Sequence, residues 1–347
     1  MTGAARAARG IVLVVILALG AAACAGDDDG QRIGDVVRVP RLPPPPPGPE
    51  RVRAIGDVSK LPPDVQRALA ADGGDFAPAP TPGESDWLTE HPERPQSFAA
   101  WERADPNRPD DRRRVLYLWP LGDLPADRTP PLDDLAAVVH AFFQLEVRVL
   151  PPAAIADLGA TERVNPHTRT RQLLAPDVLR WMTLHVPTDA YAVMAVTMID
   201  LYPDPTWNFV YGQATFTQRV GVQSFARYDP AFFGEARPAD WRRTLARRSA
   251  QVLVHEIAHM FGIAHCTYWD CVAAGANHQA EFDAHPLHLC PVDLRKLWSA
   301  VGFDLAARED ALAAVWTRLG LEDEAAWSSR RAARIRGADA IRTPAPR

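Results

Sequence analysis

A glutamate between two histidines that are four residues apart is the clearest chemical pattern in the sequence. The residues are His255-Glu256-Ile257-Ala258-His259, inside a stretch whose pattern predicts a helix from near Asp240 to Gly262. Side chains four positions apart project from one face of a helix, so both imidazoles can reach the same tetrahedral metal ion. Glu256 faces the open coordination position, where a glutamate can deprotonate a zinc-bound water.

Two further residues extend this pattern to H-E-x-x-H-x-x-G-x-x-H. Gly262 can adopt a left-handed conformation that ends the helix and turns the chain back. His265, six residues after His259, is then placed as a third metal ligand. The complete pattern is rare by chance and predicts a catalytic zinc site. A thermolysin-like enzyme would use a distal glutamate as third ligand, and His265 occupies that role here.

Three cysteines follow this pattern at once. Cys266 comes directly after His265, and Cys271 and Cys290 lie within the next 24 residues. Clustered thiolates at such spacings indicate a structural zinc site. The alternative, for an exported chain, is a Cys266–Cys271 disulfide with Cys290 free.

Composition sets the broad class of the chain. Of its 347 residues, 47% are hydrophobic and 23% are charged, which is typical of a globular protein. The net charge of −5 indicates no basic surface for nucleic acid. Four cysteines are too few for a disulfide framework, and the composition also excludes collagen and a multi-span membrane protein.

The N-terminus is typical of an exported protein. Arg6 and Arg9 precede a thirteen-residue apolar run, residues 11–23, which is long enough for a signal peptide and too short to cross a bilayer. The run ends at Cys24 in a sequence similar to a bacterial lipobox, so we expect residues 1–23 to be removed and Cys24 to be lipidated. Ordinary cleavage, with Cys24 incidental, is the alternative. We expect the protein to be located in the cell envelope, anchored to a membrane.

Two composition changes divide the rest of the chain. Residues 24–83 are polar and then proline-rich, which predicts a flexible spacer interrupted by a short helix around residues 63–71. Residues 84–335 alternate apolar strands with amphipathic helices, which predicts an α/β domain with a largely parallel sheet. The strands are expected at residues 115–119, 146–150, 190–201, 207–215 and 221–228. The last third of the chain is expected to be mainly helical. Residues 336–347 are expected to form a disordered tail.

The motif and its surroundings resemble the archaemetzincins, a branch of the metzincin zinc metallopeptidases, and most closely their animal-type members. The similarity covers roughly residues 84–320. It rests on the three-histidine motif running directly into Cys266, on the later cysteines, and on distant segments. These segments are Asp86–Pro92 (DWLTEHP), Met198–Pro203 (MIDLYP), Trp207–Ala214 (WNFVYGQA), Ser224–Tyr228 (SFARY) and Ala300–Phe303 (AVGF).

The resemblance implies a fold and a set of functional residues. The fold would be a twisted, mostly parallel five-stranded sheet with an active-site helix, followed by a helical C-terminal subdomain holding a cysteine zinc site. His255, His259 and His265 would bind catalytic zinc, and Glu256 would be the general base. A second, structural zinc would be bound by Cys266, Cys271 and Cys290.

The sequence departs from the family pattern at two positions. Asp293 replaces the fourth cysteine; it either completes the second zinc site or caps a helix from Leu294 to Val301. His288 is a rival fourth ligand. Ala273 replaces the methionine that normally packs beneath the catalytic zinc, which affects rigidity more than chemistry.

The resemblance also implies how a peptide would bind. In metzincins the substrate lies antiparallel to an edge strand, so we expect backbone hydrogen bonds from Asn208, Val210, Gly212 and Ala214. The predicted function is hydrolysis of peptides or proteins by a monomer, with an aminopeptidase mode as one possibility. The alternative is a catalytically inactive zinc- or peptide-binding lipoprotein, against which the intact Glu256 argues.

Overall fold

The computed structural model describes residues 12–14, 46–72 and 74–337. Within these ranges the chain forms nine strands and eleven α-helices. The strands are β1 (Val12–Val14), β2 (Val115–Leu121), β3 (Glu146–Val149), β4 (Glu162–Val164), β5 (Arg171–Leu174), β6 (Ala190–Thr197), β7 (Asp200–Tyr202), β8 (Gly212–Thr215) and β9 (Val220–Ser224).

The helices cover the sheet and build most of the C-terminal third. They are α1 (Gly48–Ile55), α2 (Pro63–Leu69), α3 (Trp87–Glu90), α4 (Phe98–Arg103), α5 (Leu132–Phe143), α6 (Ala175–Thr183), α7 (Trp241–Met260), α8 (Gln279–Ala284), α9 (Pro291–Val301), α10 (Leu305–Arg318) and α11 (Glu322–Arg336).

The main sheet has the strand order β1-β8-β9-β6-β2-β3. Strands β3, β2, β6 and β9 are parallel to one another, and β8 runs antiparallel to β9. Every residue of β2 and of β6 is buried, because helices pack on both faces of the sheet. The prediction of a mostly parallel five-stranded α/β sheet is confirmed, and the short strand β1 adds an antiparallel neighbour to β8.

A second sheet of three short strands, β4-β5-β7, was not predicted. The predicted strand 190–201 breaks after Thr197, whose hydroxyl accepts a hydrogen bond from the backbone N–H of Ile199. The chain resumes as β7, where the buried Asp200 forms an ion pair with Arg227 at 2.7 Å. An apolar run shows hydrophobicity but not where a strand leaves one sheet and joins another.

The predicted spacer 24–83 is wrong for its second half. Helices α1 and α2 pack on the C-terminal helices and bury Ile55, Val65 and Leu69. The Arg67 Nε donates to the carbonyl of Ile335 at 2.6 Å. The short helix predicted around residues 63–71 is present as α2. Helix α1 was not predicted, because it has only eight residues and begins beside prolines, so its apolar face is too short to distinguish from a spacer.

Several predictions on the termini lie outside the described residues. These include Cys24 and nearly all of the signal peptide 1–23, of which the structure describes only the backbone of β1. The predicted tail 336–347 is described only for its first two residues, where α11 ends. Among the described helices, none combines the length and the apolar character needed to cross a bilayer.

Candidate active site

The final turns of α7 carry the first two histidines of the motif and the glutamate. Residues 249–260 of this helix are all buried, whereas most of residues 241–248 are partly or fully exposed. The helix ends at Met260, and the chain reverses at Gly262, which has a φ of +74°. A Cβ at this position would also lie 2.9 Å from the Cβ of Pro106. Glycine is therefore needed here for both conformation and space, and the turn brings His265 back to the helix.

The three histidines of the motif form one compact buried group. Their nearest candidate ligand atoms all lie within 4.8 Å of one another. The Nε2 atoms of His255 and His259 are 3.0 Å apart, and the ring of His265 lies 5.2 and 5.1 Å from the other two rings. Each residue is only 1% exposed. The structure thus brings together the three residues that the spacing predicted.

Each ring is oriented by a hydrogen bond at its Nδ1 atom. The partners are the carbonyl of Val272 for His255 at 2.9 Å, the carbonyl of Ile263 for His259 at 2.7 Å, and the carboxylate of Glu93 for His265 at 3.0 Å. With Nδ1 donating, the lone pair of every ring lies on Nε2.

The Nε2 atoms are suited to hold a metal ion. The buried Nε2 of His265 has no hydrogen-bond partner among the described residues. Burial, followed by the neighbouring imidazoles, lowers the pKa of His255 well below its usual value, and burial lowers that of His259 to about 3. Both rings are therefore neutral, as metal ligands must be, and the donor set fits zinc.

Glu256 lies beside this group with a free carboxylate. Both of its oxygens are buried without a hydrogen-bond partner in the described part of the chain. Burial raises the pKa of the Glu256 carboxyl well above its usual value. Gly212, the first residue of β8, packs against it so closely that a Cβ there would lie 2.8 Å from Oε1. Strand β8 and the candidate general base therefore lie next to each other.

Sequence reasoning missed Glu93 and Trp87, which support His265. The indole N–H of Trp87 donates to Glu93 at 3.1 Å, and its ring lies edge-on to His265 at 5.1 Å. Trp87 belongs to the segment Asp86–Pro92 that resembles the family, and this resemblance was the one feature of the sequence that could have indicated its role. Glu93 is separated from His265 by 172 positions, so nothing local connects the two.

The second candidate metal site contains Cys266, Cys271, Cys290 and Asp293. All four are buried, and their ligand atoms lie within 4.8 Å of one another. Asp293 Oδ2 is 3.3 Å from the Sγ of Cys290 and 3.5 Å from that of Cys271. The Sγ atoms of Cys266 and Cys290 are 3.5 Å apart, far beyond the roughly 2.05 Å of a disulfide bond. All three cysteines are free thiols in the structure.

The alternatives for Asp293 and His288 are resolved by their positions. Helix α9 begins at Pro291 with Cys290 at its N-cap, so Asp293 lies inside the first turn and does not cap the helix. The ring of His288 stacks on Trp327 at 3.8 Å and takes no part in the cysteine cluster. Asp293, and not His288, is the residue placed to complete this site.

The two candidate metal sites share supporting residues. Lys296 Nζ donates to Asp293 Oδ1 at 2.7 Å and to Gln96 Oε1 at 2.9 Å. Gln96 also binds both sides of the turn before His265, through the carbonyl of Gly262 and the N–H of Ala264. Burial raises the pKa of Asp293 to about 6. Hydrogen bonds through Lys296 and Gln96 thus connect Asp293 of the cysteine site to the turn that positions His265.

The predicted substrate strand is shorter than expected. Asn208 lies before the strand, and its carbonyl accepts hydrogen bonds from the side chains of Arg163, Asn165 and Gln172. The N–H of Val210 donates to Leu201 at 2.9 Å. Of the predicted contacts, only Gly212 and Ala214 lie in β8. The carbonyl of Asn208 and the N–H of Val210 are thus bound within the protein, and backbone contacts of these two residues with a peptide stay a prediction.

Comparison with known proteins places this site in a family. The model of Peptidase family M54 matches residues 147–298. Archaemetzincin-2 from Pongo abelii and from Homo sapiens are each 37% identical over 265 residues, covering 68% of this chain and 73% of the relative. Archaemetzincin-1 from Mus musculus is 33% identical over 276 residues, covering 71% and 54%. The chain belongs to the archaemetzincin family.

Two solved structures are also similar. A zinc-dependent peptidase from Methanocorpusculum labreanum is 23% identical with a TM-score of 0.42, covering 52% of this chain and 99% of that one. The archaemetzincin of Methanopyrus kandleri is 26% identical with a TM-score of 0.38, covering 54% and 96%. Membership of the archaemetzincin family confirms the prediction of a zinc metallopeptidase, a hydrolase acting on peptides or proteins.

Proposed function

We propose that His255, His259 and His265 hold the catalytic zinc and that Glu256 is the general base in peptide-bond hydrolysis. The observation that carries the proposal is the orientation of the three rings. All three Nδ1 atoms are occupied by protein acceptors, which leaves three neighbouring Nε2 lone pairs beside the unpartnered carboxylate of Glu256.

The protein residues divide the work of the reaction. Zinc, when bound, supplies a Lewis acid that polarises the scissile carbonyl and acidifies water. Glu256 takes a proton from the attacking water and passes it to the leaving amine.

We further propose that the cysteine site binds a second, structural zinc. Its place in the chain supports this role, because Cys266 follows His265 directly and Cys271 precedes Val272, whose carbonyl orients His255. Three thiolates and one carboxylate form a tetrahedral donor set of the kind that zinc takes. The second ion would hold the loop 266–273 in position beneath the histidines.

The substrate is proposed to pair as a strand with β8, on the side that β1 occupies in the structure, through the backbone of Gly212 and Ala214. The antiparallel pairing of β1 with β8 supports the proposal, since β1 is an extended segment bound through its backbone.

We also propose, from the sequence, that the protein is exported, lipidated at Cys24 and monomeric. An aminopeptidase mode of cleavage is proposed on the same basis.

The test is cleavage of a mixed peptide library, followed by mass spectrometry, with the chain from Pro46 onward. Glu256→Ala should abolish cleavage while zinc stays bound, and Glu235→Ala, an exposed glutamate distant from the motif in sequence, should cleave like the parent. Fragments would distinguish removal of N-terminal residues from internal cleavage. Zinc binding without cleavage by the parent would instead favour the inactive binding lipoprotein.

A further inference from the structure

An open pocket of about 470 Å³ lies beside the segment that leads into β8. Its walls include the side chains of Arg163, His167, Pro205 and Trp207. Arg163 is cationic and His167 carries an imidazole, whereas Pro205 and Trp207 are mainly apolar. No carboxylate is among the residues that line the pocket. The lining therefore suits a ligand group that is negatively charged and carried on a short apolar stem.

The charge of Arg163 is not neutralised by an ion pair within the described chain. Its guanidinium donates to the carbonyls of Pro205, Trp207 and Asn208, and its Nε donates to Gln172. These neutral acceptors use four of its five N–H groups and leave one on Nη1.

The nearby acidic side chains have other partners. Asp200 forms its ion pair with Arg227, and Asp204 accepts hydrogen bonds from the N–H and hydroxyl of Thr206. A fixed cation with a spare donor thus remains at the pocket wall. Charge-assisted hydrogen bonds to such a group are roughly twice as strong as neutral ones.

Two aromatic rings, those of His91 and Trp87, lie between the pocket residue Trp207 and the candidate zinc ligand His265. Trp207, in the pocket wall, stacks on His91 with the ring centres 5.7 Å apart. His91 in turn lies 4.2 Å from Trp87, whose ring contacts His265 at 5.1 Å. A peptide a few residues long can therefore reach both the zinc site and the pocket.

The sheet determines which end of the peptide reaches the pocket. Strand β1 pairs with β8 in the antiparallel sense, with Val14 opposite Gln213 and Leu13 opposite Ala214. A peptide bound in the same sense runs from Thr215 towards Gly212, where the Glu256 carboxylate lies, and continues towards Asn208. The residues that reach the pocket are then those on the C-terminal side of the bond that is cut.

We propose that this pocket binds a carboxylate of the substrate on the C-terminal side of the scissile bond, with Arg163 as the main determinant. The carboxylate belongs either to an Asp or Glu side chain or to the C-terminus of a short peptide. Pro205 and Trp207 pack against the methylene groups that carry it. The inference rests on the proposed peptidase function, since that function places the scissile bond beside Glu256.

The test uses pairs of peptides that differ only in charge. One series has Glu or Gln at each of the four positions after the scissile bond, and a second has a free or amidated C-terminus. At one position, or for the free C-terminus, kcat/KM of the parent should be at least about 10-fold higher for the charged member, as expected for one charge-assisted hydrogen bond. Equal values in both series would overturn the proposal.

Variants assign the preference to the pocket. Arg163→Gln should reduce the ratio for the charged and neutral peptides towards one, mainly through KM. Arg171→Gln, at an exposed arginine of the same small sheet that pairs with Glu162, should leave the ratio as in the parent. If Arg163→Gln slows both peptides equally and keeps the ratio, Arg163 only supports the loop and the proposal fails.

A second variant covers the case in which Arg163→Gln does not fold. His167 is exposed and its ring has no partner among the described residues, so His167→Glu adds a negative charge without disturbing packing. This variant should lower the preference for the charged peptide, and an unchanged preference would contradict the proposal.

Calorimetric binding of the same peptides to the Glu256→Ala variant separates this inference from the proposed function. Tighter binding of the charged peptide, without cleavage by the parent, would support the pocket while the peptidase proposal fails. Equal binding of both peptides would overturn the pocket.

Discussion

The carboxylate of Glu93 lies 3.0 Å from Nδ1 of His265, although 172 positions separate the two residues. The other two histidines are held at Nδ1 by backbone carbonyls near α7, whereas His265 depends on a charged side chain from another segment. Glu93 is therefore placed to fix the tautomer of His265 and to increase its basicity as a ligand.

Replacing Glu93 by Ala should weaken catalytic zinc binding by about 10- to 100-fold, the usual effect of losing such a partner. Competition against a chromophoric chelator would measure the affinity. Glu90→Ala, an exposed glutamate three residues earlier, is the matched control and should bind zinc like the parent. Equal affinities for Glu93→Ala and the parent would contradict this account.

Gly212→Ala should disable catalysis without removing zinc. The added methyl group would lie 2.8 Å from Oε1 and 2.9 Å from Cγ of Glu256, so the carboxylate must move. A misplacement of roughly 1 Å can cost about 10²-fold in rate. Peptide cleavage and bound zinc should be measured together, with Gly48→Ala as a control whose added methyl group has no neighbour closer than 3.7 Å. Undiminished cleavage would place the base elsewhere.

Asp293→Ala should reduce bound zinc from two ions per chain to one. It also leaves the buried Lys296 without its partner, and breaking a buried pair costs about 3–5 kcal/mol of the free energy of unfolding. His288→Phe keeps the aromatic stack on Trp327 and should retain both ions. Elemental analysis decides the matter: loss of the second zinc in His288→Phe, or its retention in Asp293→Ala, would show that Asp293 is not the ligand.

A chain that starts at Asp86 should be less stable than one that starts at Pro46. The shorter chain loses the burial of Ile55, Val65 and Leu69, each worth about 1.5–3 kcal/mol, and the ion pair between Asp75 and Arg331. Urea unfolding should therefore give a midpoint that is clearly lower for the shorter chain. Coincident unfolding curves would mean that α1 and α2 contribute nothing to the domain.

The sequence predicted those parts of the fold that depend on long apolar runs. The buried strand β2 and the helix α7 lie where the hydrophobic pattern placed them, and β6 begins at its predicted residue. The pattern failed for the short strands β4, β5 and β7 and for α1. These short elements are stabilised by contacts with distant segments, and such contacts leave no periodicity within the element itself.

The candidate zinc ligands could be predicted because the information is local. His255, Glu256 and His259 lie within two turns of one helix, and Gly262 determines the turn that returns His265 to it. The geometry of a helix and of a left-handed glycine suffices to bring these side chains together, whatever the rest of the chain does.

Only the tertiary structure decided which distant residues complete the two sites. The choice of Asp293 over His288 depends on the stacking of His288 on Trp327 and on the contact of Asp293 with the cysteines. The partnership of Glu93 with His265 joins segments far apart in the chain. Spacing along a sequence specifies neighbours within one element, whereas neighbours from different elements are specified by the burial of the whole core. That is why the ligands could be predicted from spacing and the residues that orient them could not.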